Sequence, residues 1–266
     1  MTLLPVLLGA GVGAIMGLTG AGGGVLAVPA LVFFVGLPFT DAGPAALVSV
    51  AVAGAIGSAE ALKRGLVRYR AAGFMALFGV SLAPTGLRVA RVSPERWLLV
   101  AFSVVLLIVA ARMLLKAGDD RGGLARDVPC RMDPATGRLR WTPIAAATLA
   151  AIGATAGFLT GLLGVGGGFM IVPALRRFTD ITMQGVVATS LAVTTLVATG
   201  TVATTVLHGH PPPWGVAAPF AGGAVCGMVG GRLLVRRLQA THLQRIFGAL
   251  AAVTAVAVAF RAFQGA

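Results

Sequence analysis

Along the chain, charge is absent or nearly absent from eight stretches, at 3–35, 42–62, 71–89, 97–115, 141–175, 184–207, 213–235 and 243–260. Polar segments divide them. Six stretches have about the 20 apolar residues that carry an α-helix across a bilayer. The stretches at 3–35 and 141–175 are too long, because a straight helix of more than 30 residues would reach beyond about 45 Å at a rise of 1.5 Å per residue. Glycines fall near the middle of both, Gly20, Gly22, Gly23 and Gly24 in the first and Gly164, Gly166, Gly167 and Gly168 in the second. Glycine there interrupts a helix and leaves backbone groups in need of partners. Each long stretch is therefore expected to be either a discontinuous span or a re-entrant hairpin of two half-helices.

The two long stretches repeat one another. Residues 9–31 read GAGVGAIMGLTGAGGGVLAVPAL and residues 153–175, 144 positions later (153 − 9), read GATAGFLTGLLGVGGGFMIVPAL, with 13 of 23 positions identical. Chance would give roughly two or three in sequence this biased, so an internal duplication is the reading. It divides the chain into a membrane repeat at 1–116, a polar linker at 117–140 and a second membrane repeat at 141–266. The fold class expected is an all-α polytopic membrane protein, each half a glycine-broken segment followed by three transmembrane helices.

Charge placement bears on the choice between spanning and re-entrant segments. If both broken segments cross, the better orientation puts 12 Lys and Arg inside and 9 outside. If both are re-entrant, the halves are inverted, and 17 fall inside against 4 outside. The positive-inside rule favours the second arrangement, with the linker cytoplasmic and both termini outside. The loop KRGLVRYR of the first half is matched in the second by HGHPPPW, which has no Lys or Arg, as opposite faces would require.

Composition agrees with a bilayer. The chain is 57% hydrophobic, its mean hydropathy is +0.93, and 11% of its residues are charged, where soluble domains average about 25%. The net charge of +13 does not imply a nucleic-acid partner, because the basic residues sit between apolar stretches, where orientation signals belong. The start, MTLLPVLLGA, lacks a positive n-region, so no cleaved signal peptide is expected. Cys130 and Cys226 have neither the spacing nor the setting of a disulfide or a metal site and are expected to be free thiols.

With the paired segments GLTGAGGGVLAVPAL and GLLGVGGGFMIVPAL, and VATSLAV at 187–193, the sequence resembles the TauE/SafE family of sulfite and sulfonate exporters. The resemblance covers nearly the whole chain. It implies a multi-pass permease of the bacterial plasma membrane that handles small sulfur-containing anions. VATSLAV is matched only loosely by ALVSVAV at 46–52, which keeps Ser49 but not the preceding threonine.

Candidate site residues follow from the broken helices. A half-helix that starts at a glycine turn presents unpaired N–H groups and the positive end of its dipole, which suits an anion. Gly20, Gly22, Gly23, Gly24, Gly164, Gly166, Gly167 and Gly168 are accordingly expected to bind substrate. The alternative for glycines, close helix packing, is the reading for Gly9, Gly13 and Gly17, which are spaced by four. Ser49, Thr189 and Ser190 lie in the spans that follow and offer hydroxyl donors, or else bond back to their own helices. The threonine run from Thr194 to Thr205 is too dense for all its members to be ligands. Arg88 and Arg232, at the same 144-residue offset, are candidates for gating or anion attraction, Arg232 equally an inside anchor.

All eight Asp and Glu lie in loops or at segment ends, with Glu60 nearest to a span, so no intramembrane acid suggests a proton relay. His208 and His210 bracket a loop glycine and read as solvated. No Ser-His-Asp set, HExxH or GxxxxGK[ST] motif is present, and no metal or cofactor is called for. A transporter of small oxyanions such as sulfite or a sulfonate, working by alternating access, is the leading function. An anion channel is the alternative, and an intramembrane enzyme the weaker one.

Overall fold

The computed structural model describes residues 3–19, 23–115, 130, 140–235 and 240–264, which are helical apart from short connections and an isolated bridge between Cys130 and Thr179. In chain order the helices are α1 (Leu3–Thr19), α2 (Gly24–Ala30), α3 (Phe39–Lys63), α4 (Tyr69–Val92) and α5 (Glu95–Leu115), then α6 (Pro143–Leu163), α7 (Gly168–Phe178), α8 (Met183–Leu207), α9 (Trp214–Val235) and α10 (Ala240–Gln264). A π-helical turn, Leu31–Val35, prolongs α2. Both long stretches are broken where the glycines predicted. α6 and α8 begin at threonine caps: the Thr142 hydroxyl accepts from the Ala145 amide at 3.1 Å and that of Thr182 from the Gly185 amide at 3.3 Å.

Among the described residues, five helices are long and apolar enough to cross a membrane, namely α3, α4, α6, α8 and α9. α6 differs from expectation in being a complete span by length. Its 21 residues reach about 31 Å, so the turn at its end comes near mid-membrane only if α6 is strongly tilted.

Exchange of the two halves maps each main packing onto another. α1 lies on α9 as α6 lies on α4, α3 on α9 as α8 on α4, and α2 on α3 as α7 on α8, while α3 pairs with α8 and α5 with α10. Glycines set the first of these contacts. An added methyl at Gly9, Gly13 or Gly17 would run into the carbonyls of Phe220, Ala224 or Met228, and one at Gly153, Gly157 or Gly161 into those of Met75, Gly79 or Ala83. In both pairs residue numbers rise together, so the paired helices run parallel at backbone distance. α3 and α8 run antiparallel, Gly54 facing Thr195 and Gly57 facing Leu191.

Cys130 marks one end of the molecule. Its amide donates to the Phe178 carbonyl at 3.1 Å, and its sulfur lies 3.8 Å from the Ala145 carbonyl oxygen, so the start of α6 and the end of α7 are together and the two helices fold back on one another. Both cysteines are free; burial, with Asp180 adding to it, pushes the Cys130 thiol up. On this linker side also lie the end of α3 and the starts of α4 and α8, joined by the bond from the Arg68 amide to Thr189 Oγ1 at 3.1 Å. On the opposite side the start of α3 meets the start of α5, the Phe39 amide donating to Glu95 Oε1 at 3.2 Å. Lys63, Arg64, Arg68, Arg70, Arg176 and Arg177 belong to the linker side, Arg88, Arg91, Arg96 and Arg261 to the other.

The outer surface is apolar. Leu7, Leu77, Ile108, Val253 and Phe260 are among many large side chains left exposed, a pattern that suits lipid and not water. Trp97, Trp141 and Trp214, the only tryptophans, and Tyr69, the only tyrosine, are exposed at or beside the starts of α5, α6, α9 and α4, on both ends of the molecule. Amphipathic rings concentrate at the two membrane–water interfaces, and these four form such belts.

Gly11 and Gly73 meet nothing within 4 Å of an added Cβ, which provides a control for the glycine contacts. Gly13→Leu and Gly157→Leu should each destabilise the protein by about 1–3 kcal/mol or more, as overpacked cores do, while Gly11→Leu and Gly73→Leu should not. Thermal unfolding in detergent, followed by size-exclusion chromatography, measures the difference.

Candidate functional site

The glycine turns of the two halves meet at the centre of the molecule. A Cβ on Gly24 would lie 3.2 Å from the Val165 carbonyl oxygen and 2.9 Å from Val50 Cγ2, and one on Gly166 would lie 3.0 Å from Val50 Cγ1 and 2.9 Å from Thr194 Cγ2. Val50 on α3 therefore touches both turns. Gly164 meets Gly43 of α3 backbone to backbone, and Gly23 packs against Met16 of α1. Gly20 and Gly22 lie outside the described residues.

Among the described residues the two turns differ at one equivalent pair, Gly23 and Gly167. Gly164, Gly166 and Gly167 have φ of 70°, 75° and 65°, in the left-handed region that side chains avoid, whereas Gly23 is right-handed at φ −62°. The first bonds of α7 run from the Met170 and Ile171 amides to the Gly167 carbonyl at 3.0 and 3.2 Å, so the amides of Gly168 and Phe169 precede its first closed turn. α2 has only seven residues before the π turn and presents a weaker dipole.

The three candidate hydroxyls occupy different settings. Ser49 donates to the Ala46 carbonyl at 2.7 Å, within its own helix. Thr189 accepts from the Arg68 amide and so fastens the α3–α4 loop to α8. Ser190 is buried beside the second turn, its hydroxyl 3.4 Å from the Gly168 carbonyl oxygen. The loose match between 46–52 and 187–193 is out of step by three residues. α3 and α8 begin 144 positions apart (183 − 39) and end 144 apart (207 − 63), so Ala46 is the counterpart of Ser190, and Ser49 corresponds to Val193. Sequence identity favoured the shifted alignment because Ser49 resembled Ser190; helix length decides for the other.

Arg88 and Arg232 are also unlike in setting. Arg232, near the end of α9, pairs with Glu60 of α3, Nη1 to Oε2 at 2.5 Å, and donates from Nη2 to the Gly57 carbonyl at 3.1 Å. Glu60 also pairs with Arg64. With Met228 and Leu191 against Gly57, this packs α3, α8 and α9 together on the linker side. Arg88 is exposed on α4 and forms no ion pair with the described residues; at the 144-residue offset the counterpart of Glu60 is Thr204 (204 − 60 = 144). On that opposite side a narrow crevice with about 20 Å³ of free volume, room for little more than a water molecule, reaches Gly43 and Gly164 between Leu47, Leu87 and Thr205. His208 and His210 are exposed near it, His210 Nδ1 lying 3.3 Å from Arg91 Nη1.

One buried hydroxyl was not singled out by the sequence. Thr194, within the dense threonine run, is the described buried Ser or Thr whose oxygen has no hydrogen-bond partner, and it stands at Gly166. Nothing in its sequence neighbourhood separates it from Thr195, which bonds back to the Leu191 carbonyl at 2.8 Å.

A profile for the family described as "Sulfite exporter TauE/SafE" matches residues 5–258. Two proteins of Xylella fastidiosa, from strains 9a5c and Temecula1, both named "Probable membrane transporter protein", are each 32% identical over 268 aligned positions, covering 98% of this chain and 96% of their own length. No solved structure matches it.

The left-handed turn gives a direct measurement. Gly209 also has positive φ, 75°, but open space around it, whereas a Cβ on Gly167 would lie 2.9 Å from both the Ala156 carbonyl oxygen and Thr160 Oγ1. Gly209→Ala should cost about 1–2 kcal/mol from backbone conformation alone, and Gly167→Ala clearly more, read as the difference between their unfolding temperatures.

Proposed function

The chain belongs to the sulfite exporter TauE/SafE family and is a membrane transporter, and on that premise we propose that it carries small sulfur-containing oxyanions, such as sulfite or an organosulfonate, across a bacterial plasma membrane. The observation that carries this reading is the meeting of the two glycine turns against Val50 at the centre of the molecule. Backbone amides at the start of α7 supply donors there without a positive side chain. Each helix end contributes about 0.3–1 kcal/mol where exposed and up to about 2 where partly buried. Hydroxyl and amide bonds must add to that, and bonds to an ionised acceptor are roughly twice as strong as neutral ones.

The halves are inverted in this proposal, and the broken segments are re-entrant. Helix directions support it: α1 runs with α9, α6 runs with α4, and α3 and α8, which hold equivalent places in the two halves, run antiparallel. The meeting of α6 and α7 ends at Cys130 supports a hairpin that enters and leaves on one face. The linker side is cytoplasmic because the basic residues collect there.

Alternating access needs one side closed while the other admits solute. The Arg232–Glu60 pair, with its bond to Gly57, is the cytoplasmic closing contact, and the crevice to Gly164 is the opening on the other side. Arg88 has no carboxylate in the place of Glu60, so it stays available to draw anions to that mouth. This unequal pair of entrances favours a carrier over an open channel.

Two measurements test the proposal. With Cys130 and Cys226 replaced, single cysteines near the C-terminus and in the HGHPPPW loop should react with impermeant reagent in intact cells, and a cysteine in the linker should not. Protection of the C-terminus would overturn the inverted arrangement. In proteoliposomes, uptake of sulfite, sulfoacetate, taurine, sulfate and acetate should show saturable flux and counter-flow for at least one sulfur oxyanion. Linear, non-saturating flux would make the protein a channel, and equal thermal stabilisation by matched anionic, neutral and cationic solutes would remove the anion assignment.

A further inference from the structure

Most described buried hydroxyls donate to a carbonyl and that of Thr189 accepts from the Arg68 amide, but that of Thr194 does neither. Thr160, Thr195, Thr201 and Thr205 each donate to the carbonyl four residues earlier, at 2.6 to 2.8 Å. Ser103 reaches across to the Ala255 carbonyl at 2.9 Å, and Ser190 points to that of Gly168. Back-bonding is the ordinary way for a threonine in an apolar helix to satisfy its hydroxyl. Thr194 is 2% exposed, yet its Oγ1 has no partner. A buried polar group left unpaired is destabilising in every protein, and more so in surroundings without water. Its position is therefore informative.

That position is the glycine turn of the second half. Thr194 Cγ2 and Val50 Cγ1 flank Gly166, and Val50 also meets Gly24 of the first turn. Val50 is the residue 144 before Thr194 (194 − 50 = 144), so the duplicated halves place a methyl on one side of the centre and a hydroxyl on the other. The two side chains have nearly the same shape. Packing alone would accept valine in both places.

We propose that the Thr194 hydroxyl is a substrate donor, which hydrogen-bonds the oxyanion when it occupies the turn at Gly164–Gly168. This rests on the transporter reading above and goes beyond it by assigning the oxyanion head to the second half. The orphaned hydroxyl is then the resting form of a binding group: it lacks a partner without solute and gains a charged acceptor with it. Val50 gives the first half no equivalent donor, so the head group is held from one side only. The amides of Gly168 and Phe169, two and three residues beyond Gly166, belong to the same turn, so hydroxyl and backbone donors would bind one acceptor group together.

Thr194→Val tests this because it removes the hydroxyl and keeps the shape. Purified wild type, Thr194→Val, Thr194→Ser and Thr195→Val are compared by thermal shift with sulfite and with sulfoacetate, and by saturable uptake of the same two anions in proteoliposomes. Without anion, Thr194→Val should unfold at the same temperature as wild type or higher, since an unpaired buried hydroxyl has gone. With anion, its apparent affinity should fall about tenfold or more, the ratio expected for loss of a hydrogen bond to a charged group. Thr194→Ser should keep affinity within a few fold, and Thr195→Val should keep it fully. Wild-type affinity and uptake in Thr194→Val for both anions would overturn the assignment. If Thr194→Val folds poorly, loss of affinity in well-folded Thr194→Ser would also overturn it. A wild-type protein that responds to neither anion would overturn the substrate reading as well, which separates the two failures.

Discussion

Everything in this molecule depends on helices approaching at backbone distance. In lipid the hydrophobic effect gives no drive for one apolar helix to leave its surroundings for another, so association relies on close van der Waals contact and on small residues that permit it. Gly9, Gly13 and Gly17 let α1 lie on the carbonyls of α9, and Gly153, Gly157 and Gly161 do the same for α6 on α4. Those two contacts hold the long arms of the broken segments in place. The short arms α2 and α7 then have fixed walls to return along, and the turns between the arms are brought against Val50. Packing thus sets where the two glycine turns meet.

Much of this was legible in the chain. The eight apolar stretches, the breaks in two of them, the duplication at an offset of 144 and the packing use of Gly9, Gly13 and Gly17 all follow from residue type and spacing, because backbone conformation and helix contact depend on such local features. The roles of individual polar groups were less legible. Ser49 and Thr194 look alike as hydroxyls in apolar spans, yet one bonds its own helix and the other stands unpaired at a turn. That distinction depends on which wall of the helix faces the centre, which a run of threonines conceals. The Arg232–Glu60 pair joins residues 172 positions apart and could not be read from either neighbourhood.

Duplication explains the symmetry of the packing, and the polar groups depart from it. Gly167 is left-handed where its counterpart Gly23 is right-handed, an ion pair joins α9 to α3 on one side where Arg88 has none with the described residues on the other, and Thr194 stands where the first half has Val50. Helix contacts, which both halves need for stability, have kept their equivalence. Polar groups away from those contacts carry no such constraint.

The cross-packing of α1 on α9 also has a consequence for biogenesis. When α1 is made, the surface that will cover its glycine face has not yet been synthesised: α9 begins at Trp214, nearly two hundred residues after α1 ends at Thr19. At about 5–20 residues per second the delay is roughly 10–40 s. α6 faces no such delay, because α4 is complete before it emerges. α1, made before every other described helix, is thus among the last to find its neighbour, and until then only lipid or the insertion machinery can shield a backbone groove made to receive another helix.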